Sequence, residues 1–450
     1  MANHGVFASF VDTPISTTSE ATSGIPFVIG VAPLHKADAG KRAAVNVPFM
    51  ATSFSEAAEA LGYDDNWIDY NLCEFMYYHF KLAGCQPVIF LPLTETISSQ
   101  EFNGDGTAKA FAITAKPDTV QKVMVGDTEA EIESYVKATG VVTLKTAPAV
   151  GTGNVVASYL TKPTAADVAA AVEHIDLCMA RFSLIPDLIV APGYSDDSVV
   201  AAAMAAKAAA INGLFKGKAI VDLEAASYTA AITAKNSGSY DKNQILCWPY
   251  AKLGDLVFHP STVVAGSIAK TDISNDGVPY ESPSNKNVAV DALVDSNGGE
   301  IILSLAQANL LNAAGIVTFL NFLTGWKLWG NYTAAYPGAT DVKDTLIPIS
   351  RMFCWVANTM VKNFWIHLDR PMNRRLIDTI LDSANIWIDG LVSSGYLLGA
   401  RIEMLEEENP MTDLMAGIIR LHIYMTPPAP AQEIDFFLEY DASYVQTALQ

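Results

Sequence analysis

The residues most suggestive of catalysis lie around Ser195, in a glycine-containing turn between a predicted strand and a predicted helix. This order is similar to the nucleophile elbow of hydrolases, which holds a serine at a sharp turn after Gly193 and Tyr194. The second glycine of that motif is absent, because Asp197 occupies its position. We therefore predict that Ser195 is a helix N-cap, with Asp196 and Asp197 near the positive end of the helix dipole.

Two other segments carry residue types that could bind a nucleotide or a metal ion. Residues 213–219 (GLFKGKA) are similar to a phosphate-binding loop, but they lack one spacer residue, and Ala219 replaces the hydroxyl residue that binds magnesium. His174 and Cys178 could share one helical face, but two ligands do not make a zinc site. We expect a turn at the first segment, and one exposed and one core residue at the second.

Acidic side chains offer a third kind of chemistry. Asp105 lies in an Asn-Gly-Asp-Gly run without the alternating carboxylates of a calcium loop, so a hairpin turn is expected there. The run Glu403, Glu406, Glu407 and Glu408 could supply paired carboxylates, or it could form a solvated loop or an inter-subunit salt-bridge surface. We predict no catalytic, cofactor-binding or metal-binding residues, and no enzyme activity.

Alternating strands and helices must position these residues. A βαβ-like run is predicted from a strand at Asp187–Ala191, a helix at Ser198–Ile211 and a strand at Lys218–Leu223. Between residues 94 and 163 the pattern changes to short strands with glycine-rich turns, which indicates a small inserted all-β module. The other main predictions are helices at Phe54–Leu61, Trp67–Leu82, Ile301–Ala313, Arg351–Trp365 and Pro371–Ser394, and strands at Leu397–Met404, Ala416–Met425 and Glu433–Asp441.

Composition limits the possible partners. The chain has 450 residues, of which 50% are hydrophobic and 17% charged, so much apolar surface must be buried, in part between subunits. The net charge of −20 argues against binding to nucleic acid or to an anionic membrane. The acidity either keeps free subunits soluble or matches a basic partner.

Cysteine usage and hydropathy bear on the compartment. Five widely spaced cysteines in apolar contexts suggest reduced core thiols and folding in a cytoplasm, and the first ten residues do not resemble a secretory signal. The uncharged stretch Ile301–Leu323 is long enough to span a bilayer, but it contains four amide side chains. A buried helix followed by a second apolar segment is therefore predicted, without membrane insertion.

Both ends of the chain have the pattern of a strand on an arm. Residues 5–12 alternate weakly before a Thr/Ser-rich run, and Glu433–Asp441 alternates between apolar and mainly polar residues after a proline-rich linker. If these strands pair outside their own fold, their apolar residues are the contact residues; pairing within the same chain is the alternative. The predicted strand-exchange residues are Val6, Phe7, Phe10, Val11, Ile434, Phe436, Leu438 and Tyr440.

The order of segments over most of the chain resembles the contractile tail sheath proteins of bacteriophages, R-type bacteriocins and contractile injection systems. The more specific similarities are the strand and turn at 186–195 (PDLIVAPGYS), the segments 248–250 (WPY) and 259–270, and residues 311–316 (LNAAGI) followed by Trp329-Gly330. The Arg-Thr pair that commonly follows this Trp-Gly is Asn331-Tyr332 here, and residues 333–346 look longer than usual.

The resemblance implies a mixed α/β and α+β multi-domain fold. It implies an N-terminal arm (1–22), a sheath body (23–93 plus 164–300), an inserted β domain (94–163), a C-terminal sheath domain (301–428) and a C-terminal arm (429–450). It also implies that the arms add strands to sheets of neighbouring subunits. The expected assembly is a helical homo-oligomer of stacked hexameric rings, and its contraction would release energy stored during assembly.

The partners implied by the family are a tail tube protein, baseplate proteins and a tail terminator protein. The expected location is a virion tail or an injection particle assembled in a host bacterial cytoplasm. Two other classes stay open at this point: another tail or capsid protein that forms tubes or rings, and an α/β hydrolase built on Ser195.

Overall fold

A computed structural model describes residues 20–94, 96–441 and 443–449. The first part of the chain forms strands β1 and β3 and the short strand β2 with helices α1 and α2, and a π-helical turn at Tyr77–Ala83 follows α2 directly. The bounds of these elements are β1 Pro26–Gly30, β2 Phe49–Ala51, α1 Phe54–Leu61, α2 Asn71–Met76 and β3 Val88–Pro92.

Seven strands occupy residues 96–161 and form a four-stranded and a three-stranded antiparallel sheet. They enclose their own apolar cluster, which includes Phe111, Val123, Val142 and Val155. The strands are β4 Thr96–Gly104, β5 Ala110–Ala112, β6 Lys122–Val125, β7 Thr128–Ala130, β8 Ile132–Val136, β9 Val141–Leu144 and β10 Gly151–Thr161.

Strand and helix alternation resumes at Thr164, which caps α3 in a reciprocal capping box with Asp167. The elements are α3 Ala165–Ala171, α4 Leu177–Phe182, β11 Leu188–Val190, α5 Ser198–Ala209, β12 Lys218–Asp222, α6 Tyr228–Ser237, β13 Gln244–Cys247, β14 Tyr250–Leu253, β15 Leu256–Phe258, α7 Pro260–Ser274, β16 Ala292–Val294, β17 Glu300–Ile301, α8 Leu305–Ala313, β18 Ile316–Asn321 and β19 Trp326–Trp329.

The last part of the chain begins with the short helix α9 and is mainly helical. It contains α9 Val342–Thr345, α10 Ile347–Phe364, α11 Arg374–Ser393, β20 Gly399–Glu403, α12 Met411–Met415, β21 His422–Thr426 and α13 Ser443–Ala448. Residues 427–441 form neither helix nor strand.

The central feature is an eight-stranded sheet in the order β19-β18-β13-β12-β11-β1-β3-β2. Its six inner strands are parallel, and β2 and β19 pair antiparallel at the edges. Strands such as β3 (VIFLP) and β11 (LIV) are buried along their whole length, as expected for parallel strands covered on both faces. We call this sheet and the elements packed on it the body.

A second apolar cluster joins α10, α11 and the β20–β21 ribbon, and we call this part the C-terminal lobe. Met352, Trp355 and Val356 of α10 pack with Trp387 and Ile388 of α11. Strands β18 and β19 lie in the central sheet, so part of the segment 301–428 belongs structurally to the body. The domain boundaries proposed from the sequence stay predictions.

The stretch Ile301–Leu323 contains a helix followed by an apolar strand, but the helix is not buried as predicted, since only Ala308 and Leu311 of α8 are buried. α8 is capped by Ser304, and β18 is buried in the central sheet. None of the helices within the described ranges has the length and apolarity needed to cross a bilayer.

Three element predictions are wrong. The helix predicted at Trp67–Leu82 starts only at Asn71 and continues as a π-helix. The strand predicted at Ala416–Met425 starts at His422, because the Asn409 side chain holds the Arg420 backbone in a loop by two hydrogen bonds of 2.8 and 2.9 Å. Residues 433–441 are not a strand within this subunit, because they pair with no described strand.

Candidate functional site

The C-terminal arm, of which residues 429–441 form neither helix nor strand, leaves the C-terminal lobe after β21 through a linker that contains Pro427, Pro428 and Pro430. Its predicted contact residues are exposed: Ile434 by 71%, Phe436 by 83%, Leu438 by 97% and Tyr440 by 80%. Proline fixes its own backbone φ angle and disfavours helix in the residue before it, which keeps the linker extended. The arm therefore carries a row of apolar side chains that the described part of its own subunit does not cover.

The first part of this arm runs beside a groove of the body. Pro428 to Glu433 line it together with Tyr280, Asn312, Trp329 and Tyr332. Tyr332 stacks on Tyr336 with ring centroids 3.8 Å apart. The described residues that follow, from Glu433 to Asp441, are all exposed.

The β20–β21 ribbon offers open strand edges. Its two strands pair over five residues, from Gly399 with Thr426 to Glu403 with His422, and neither outer edge pairs with another described strand. Unpaired edges present backbone N–H and C=O groups that can accept a further strand. The ribbon lies in the lobe from which the C-terminal arm departs.

The N-terminal contact residues Val6, Phe7, Phe10 and Val11 lie outside the described residues. The described residues start at Glu20, and hydrogen bonds hold the segment from Glu20 to Ile25 in place. The Trp355 indole donates to the Ala21 carbonyl at 2.7 Å, and the Ala21 amide donates to Thr359 Oγ1 at 3.1 Å. This root of the N-terminal arm is anchored on α10, a feature that the sequence did not indicate.

Ser195 is fully buried and is not the N-cap of α5, contrary to the sequence prediction. The cap is Asp197, whose carboxylate accepts the Val199 amide at 2.8 Å. The Ser195 hydroxyl donates to Asp222 Oδ2 and accepts the Asp222 amide, each at 3.0 Å. Asp222 also accepts the Ser261 amide and hydroxyl at 2.6 and 2.7 Å, so Ser195 belongs to a closed polar network.

A buried ion pair lies near Asp222. His259 Nδ1 is 2.6 Å from Glu74 Oε2, and the His259 amide donates to the other oxygen of Glu74 at 2.7 Å. Burial alone would lower the pKa of His259, but the Glu74 carboxylate raises it to about 9. Burial raises the pKa of Asp222, and His259 and the serine hydroxyls partly offset this rise. The charged groups of Glu74, His259 and Asp222 therefore interact with one another.

The remaining sequence candidates also have internal roles. His174 Nδ1 lies 3.1 Å from the Ala171 carbonyl, while Cys178 is fully buried, so one side chain is partly exposed and the other is in the core. The Asp105 carboxylate accepts the amides of Thr107 and Ala108, as in a turn. Within the described ranges, no cluster of three or more histidine, cysteine, aspartate or glutamate residues has the geometry of a metal site.

The acidic run of the C-terminal lobe pairs partly within the subunit. Glu403 lies 2.7 Å from Arg401, and Glu408 lies 2.8 Å from His422. Glu406 and Glu407 stay exposed. This agrees with a solvated or inter-subunit surface more closely than with a catalytic pair.

Comparison with known proteins gives sequence and structural relatives, although no protein-family profile matches. The chain is 26% identical over 308 residues to the tail sheath protein of Burkholderia phage BcepMu, a match covering 64% of each chain. It is also 26% identical over 281 residues to a prophage major tail sheath protein of Pseudomonas aeruginosa, covering 60% of this chain and 69% of the relative.

A solved structure extends the likeness over the whole fold. The helical sheath of the anti-feeding prophage in the contracted state superposes with a TM-score of 0.60, covering 97% of this chain and 99% of that chain at 17% identity. At this identity the likeness concerns the fold alone. The sequence relatives and the shared fold agree with each other: the chain is similar in sequence to contractile tail sheath proteins over about two thirds of its length, and it has the fold of a contractile sheath subunit.

Proposed function

We propose that this protein is the structural subunit of a contractile sheath that polymerises helically around a tail tube and drives that tube through a target cell envelope. The observation that carries the proposal is the C-terminal arm, whose exposed apolar row has no partner in its own described subunit. The tail sheath relatives support the same function. The subunit is a component of a virion tail or an injection particle, and it assembles in the host bacterial cytoplasm.

The arms link subunits by strand exchange in this proposal. Ile434, Phe436, Leu438 and Tyr440 alternate as the buried face of a strand should, and the open edges of the β20–β21 ribbon supply a place to pair. A two-stranded ribbon is only marginally stable by itself, so added strands stabilise the receiving subunit too. The N-terminal residues Val6, Phe7, Phe10 and Val11 take the corresponding role at the other arm.

The other partners follow from the same proposal. The subunit stacks as hexameric rings, surrounds a tail tube protein, and ends at baseplate and terminator proteins. The family relatives are structural proteins, and the buried Ser195 supports a structural role over a hydrolase. Contraction draws on the difference in free energy between two lattice states, in which subunits bury different surfaces or pair charges differently. A purified sheath that contracted only with ATP would contradict this source of energy.

Electron microscopy of the purified protein tests the proposal. Long hollow helical tubes are expected from the full chain, whereas flat rings would indicate a tube or ring-forming protein. Dispersed particles with esterase activity would indicate a hydrolase.

Deletion of residues 433–450 should yield folded, soluble monomers, because residues 433–441 are exposed and contribute little to the packing of their own subunit. Leu438→Pro is a second test variant, which keeps the arm at full length but removes a backbone donor from the strand. Both variants are expected to lose tubes and to keep the melting temperature of the parent chain. Tubes that persist after the deletion would refute arm exchange.

A further inference from the structure

A buried ionic cluster lies where the body meets the C-terminal lobe. Arg351 of α10 is 3% exposed, and its guanidinium donates to both oxygens of Asp272, at 2.9 and 2.5 Å. The same group donates to Asp187 Oδ2 at 2.7 Å and to Ser23 Oγ at 3.1 Å. The Ser23 hydroxyl donates to Asp272, and the Ile25 amide donates to Asp187 Oδ1 at 2.8 Å. We call these four side chains, Ser23, Asp187, Asp272 and Arg351, the joint cluster.

The chain crosses between the two apolar cores at the joint cluster three times. Ala21 packs in the core of the C-terminal lobe and Ile25 in the core of the body, and Ser23 lies between them. Asp272 likewise lies between Ile268 in the body core and Val278 in the lobe core. The third crossing occurs in α10, where Arg351 lies between Ile347 in the body core and Met352 in the lobe core.

Further polar contacts join α10 to the body. Asn358 exchanges two hydrogen bonds of 2.8 Å with the backbone of Lys216. Ser350 Oγ accepts from the Lys218 ammonium at 2.7 Å. Most apolar side chains of α10 that follow Ser350 face the lobe, including Met352, Trp355 and Val356, whereas Val361 packs against the body core.

Removing charged groups from water costs free energy, so a buried ionic cluster contributes little net stability. Well-packed apolar residues would hold the body and the C-terminal lobe together as tightly. A bidentate guanidinium pair is, however, specific in direction, since both N–H groups must lie in the plane of the carboxylate. An apolar contact would allow the C-terminal lobe to slide on the body. The paired N–H groups of Arg351, which bind both oxygens of Asp272, instead fix one orientation of the lobe.

We propose that the joint cluster fixes the orientation of the C-terminal lobe, and of the N-terminal arm root that lies on it, relative to the central sheet. Arg351 is a positioning residue in this role. The lobe carries the β20–β21 ribbon and the start of the C-terminal arm, so its orientation also sets where these features point. The relevance to strand exchange rests on the proposed function, but the orientation itself is a property of the single subunit.

Hydrogen exchange on dispersed full-length subunits, resolved to single amides, tests the proposal independently of sheath formation. The Lys216 amide donates across the boundary to Asn358 of α10, and the Ile25 amide donates to Asp187, the carboxylate of the body that Arg351 binds in the joint cluster. The Ala21 amide donates to Thr359 within the lobe. In Arg351→Met, the exchange of Ile25 and Lys216 should accelerate about 10- to 100-fold, while Ala21 stays protected.

Two further variants complete the test. Arg351→Lys keeps the charge but loses the fork, and it should accelerate Ile25 and Lys216 to an intermediate degree. Lys207→Met is the matched control, because Lys207 also holds two carboxylates, Glu173 and Asp176, but entirely within the body. It should leave the exchange of Ile25 and Lys216 unchanged.

Three results would overturn the proposal. Acceleration of Ala21 to the same degree as Ile25 and Lys216 would show unfolding of the lobe instead of loss of orientation. Protection in Arg351→Lys equal to that of the parent chain would show that the fork is not needed. An equal response to Lys207→Met would show that any lost ion pair has this effect.

Discussion

Replacing Phe436 by alanine should separate folding from assembly, because this side chain is 83% exposed in the single subunit. An exposed side chain contributes little to the folded state, so the free energy of unfolding should change by less than about 0.5 kcal/mol. The melting temperature of the monomer should therefore be that of the parent chain. Every substantial effect of this substitution must arise in contacts with another subunit.

The expected effect on assembly follows from the apolar area that strand exchange would cover. Fully burying a phenylalanine side chain contributes about 1.5–3 kcal/mol, and each 1.4 kcal/mol changes an equilibrium constant about tenfold. The subunit concentration needed for tube formation should thus rise about 10- to 100-fold in Phe436→Ala. Phe437→Ala is the matched control, since Phe437 has the same side chain, is 93% exposed and occupies the opposite face of an alternating strand.

The assay is sedimentation of tubes over a range of subunit concentrations, with electron microscopy to identify the pelleted material. Phe437→Ala should shift the required concentration by no more than about twofold. Equal shifts in the two variants would refute the alternating burial of the arm. The absence of any shift in Phe436→Ala would refute the arm as an assembly contact.

Two predictions concern the buried polar groups around Asp222 and His259. The pKa of His259 rises from its ordinary value of 6.5 to about 9 when the chain folds, so its pairing with Glu74 stabilises fully below about pH 6.5 and is lost as the pH rises through 9. Between pH 6 and pH 10, the free energy of unfolding measured in urea should fall by about 3 kcal/mol more in the parent chain than in Glu74→Gln. Parallel pH profiles of the two proteins would contradict this assignment. Ser195→Ala should lower the free energy of unfolding by about 1–3 kcal/mol but leave tube formation intact, because the hydroxyl hydrogen-bonds only with Asp222. Loss of tubes in a stably folded variant would contradict this internal role of Ser195.

Several strands of the central sheet could be predicted because they are short apolar runs between clear turn signals. The predicted strand Asp187–Ala191 is observed as Leu188–Val190, and Lys218–Leu223 as Lys218–Asp222. The helix at Phe54–Leu61 has the predicted bounds, since the Ser53 side chain accepts the Glu56 amide at 3.2 Å and Gly62 ends it with a φ of 76°. These signals are local, and local signals can be read from one sequence.

The failed predictions depend on contacts between distant residues. The Ser195 hydroxyl binds Asp222, which lies on the neighbouring strand β12, so no signal near Ser195 identifies the bond. The joint cluster contains residues as different as Ser23 and Arg351, and only the topology shows that they meet. The segment 433–441 has the pattern of a strand, but a strand also needs a partner, which the described part of this subunit does not supply.

The long sequence separations in the joint cluster have a consequence for synthesis. Ser23 contacts Arg351 across 328 residues, so the root of the N-terminal arm can take its place only after most of the chain has left the ribosome. At about 5–20 residues per second this interval is on the order of tens of seconds. Because the lobe follows the body along the chain, a nascent subunit cannot present its arms in their final directions until the lobe has been made. In the proposed assembly, synthesis of the lobe would thereby set the earliest moment at which a subunit can join others.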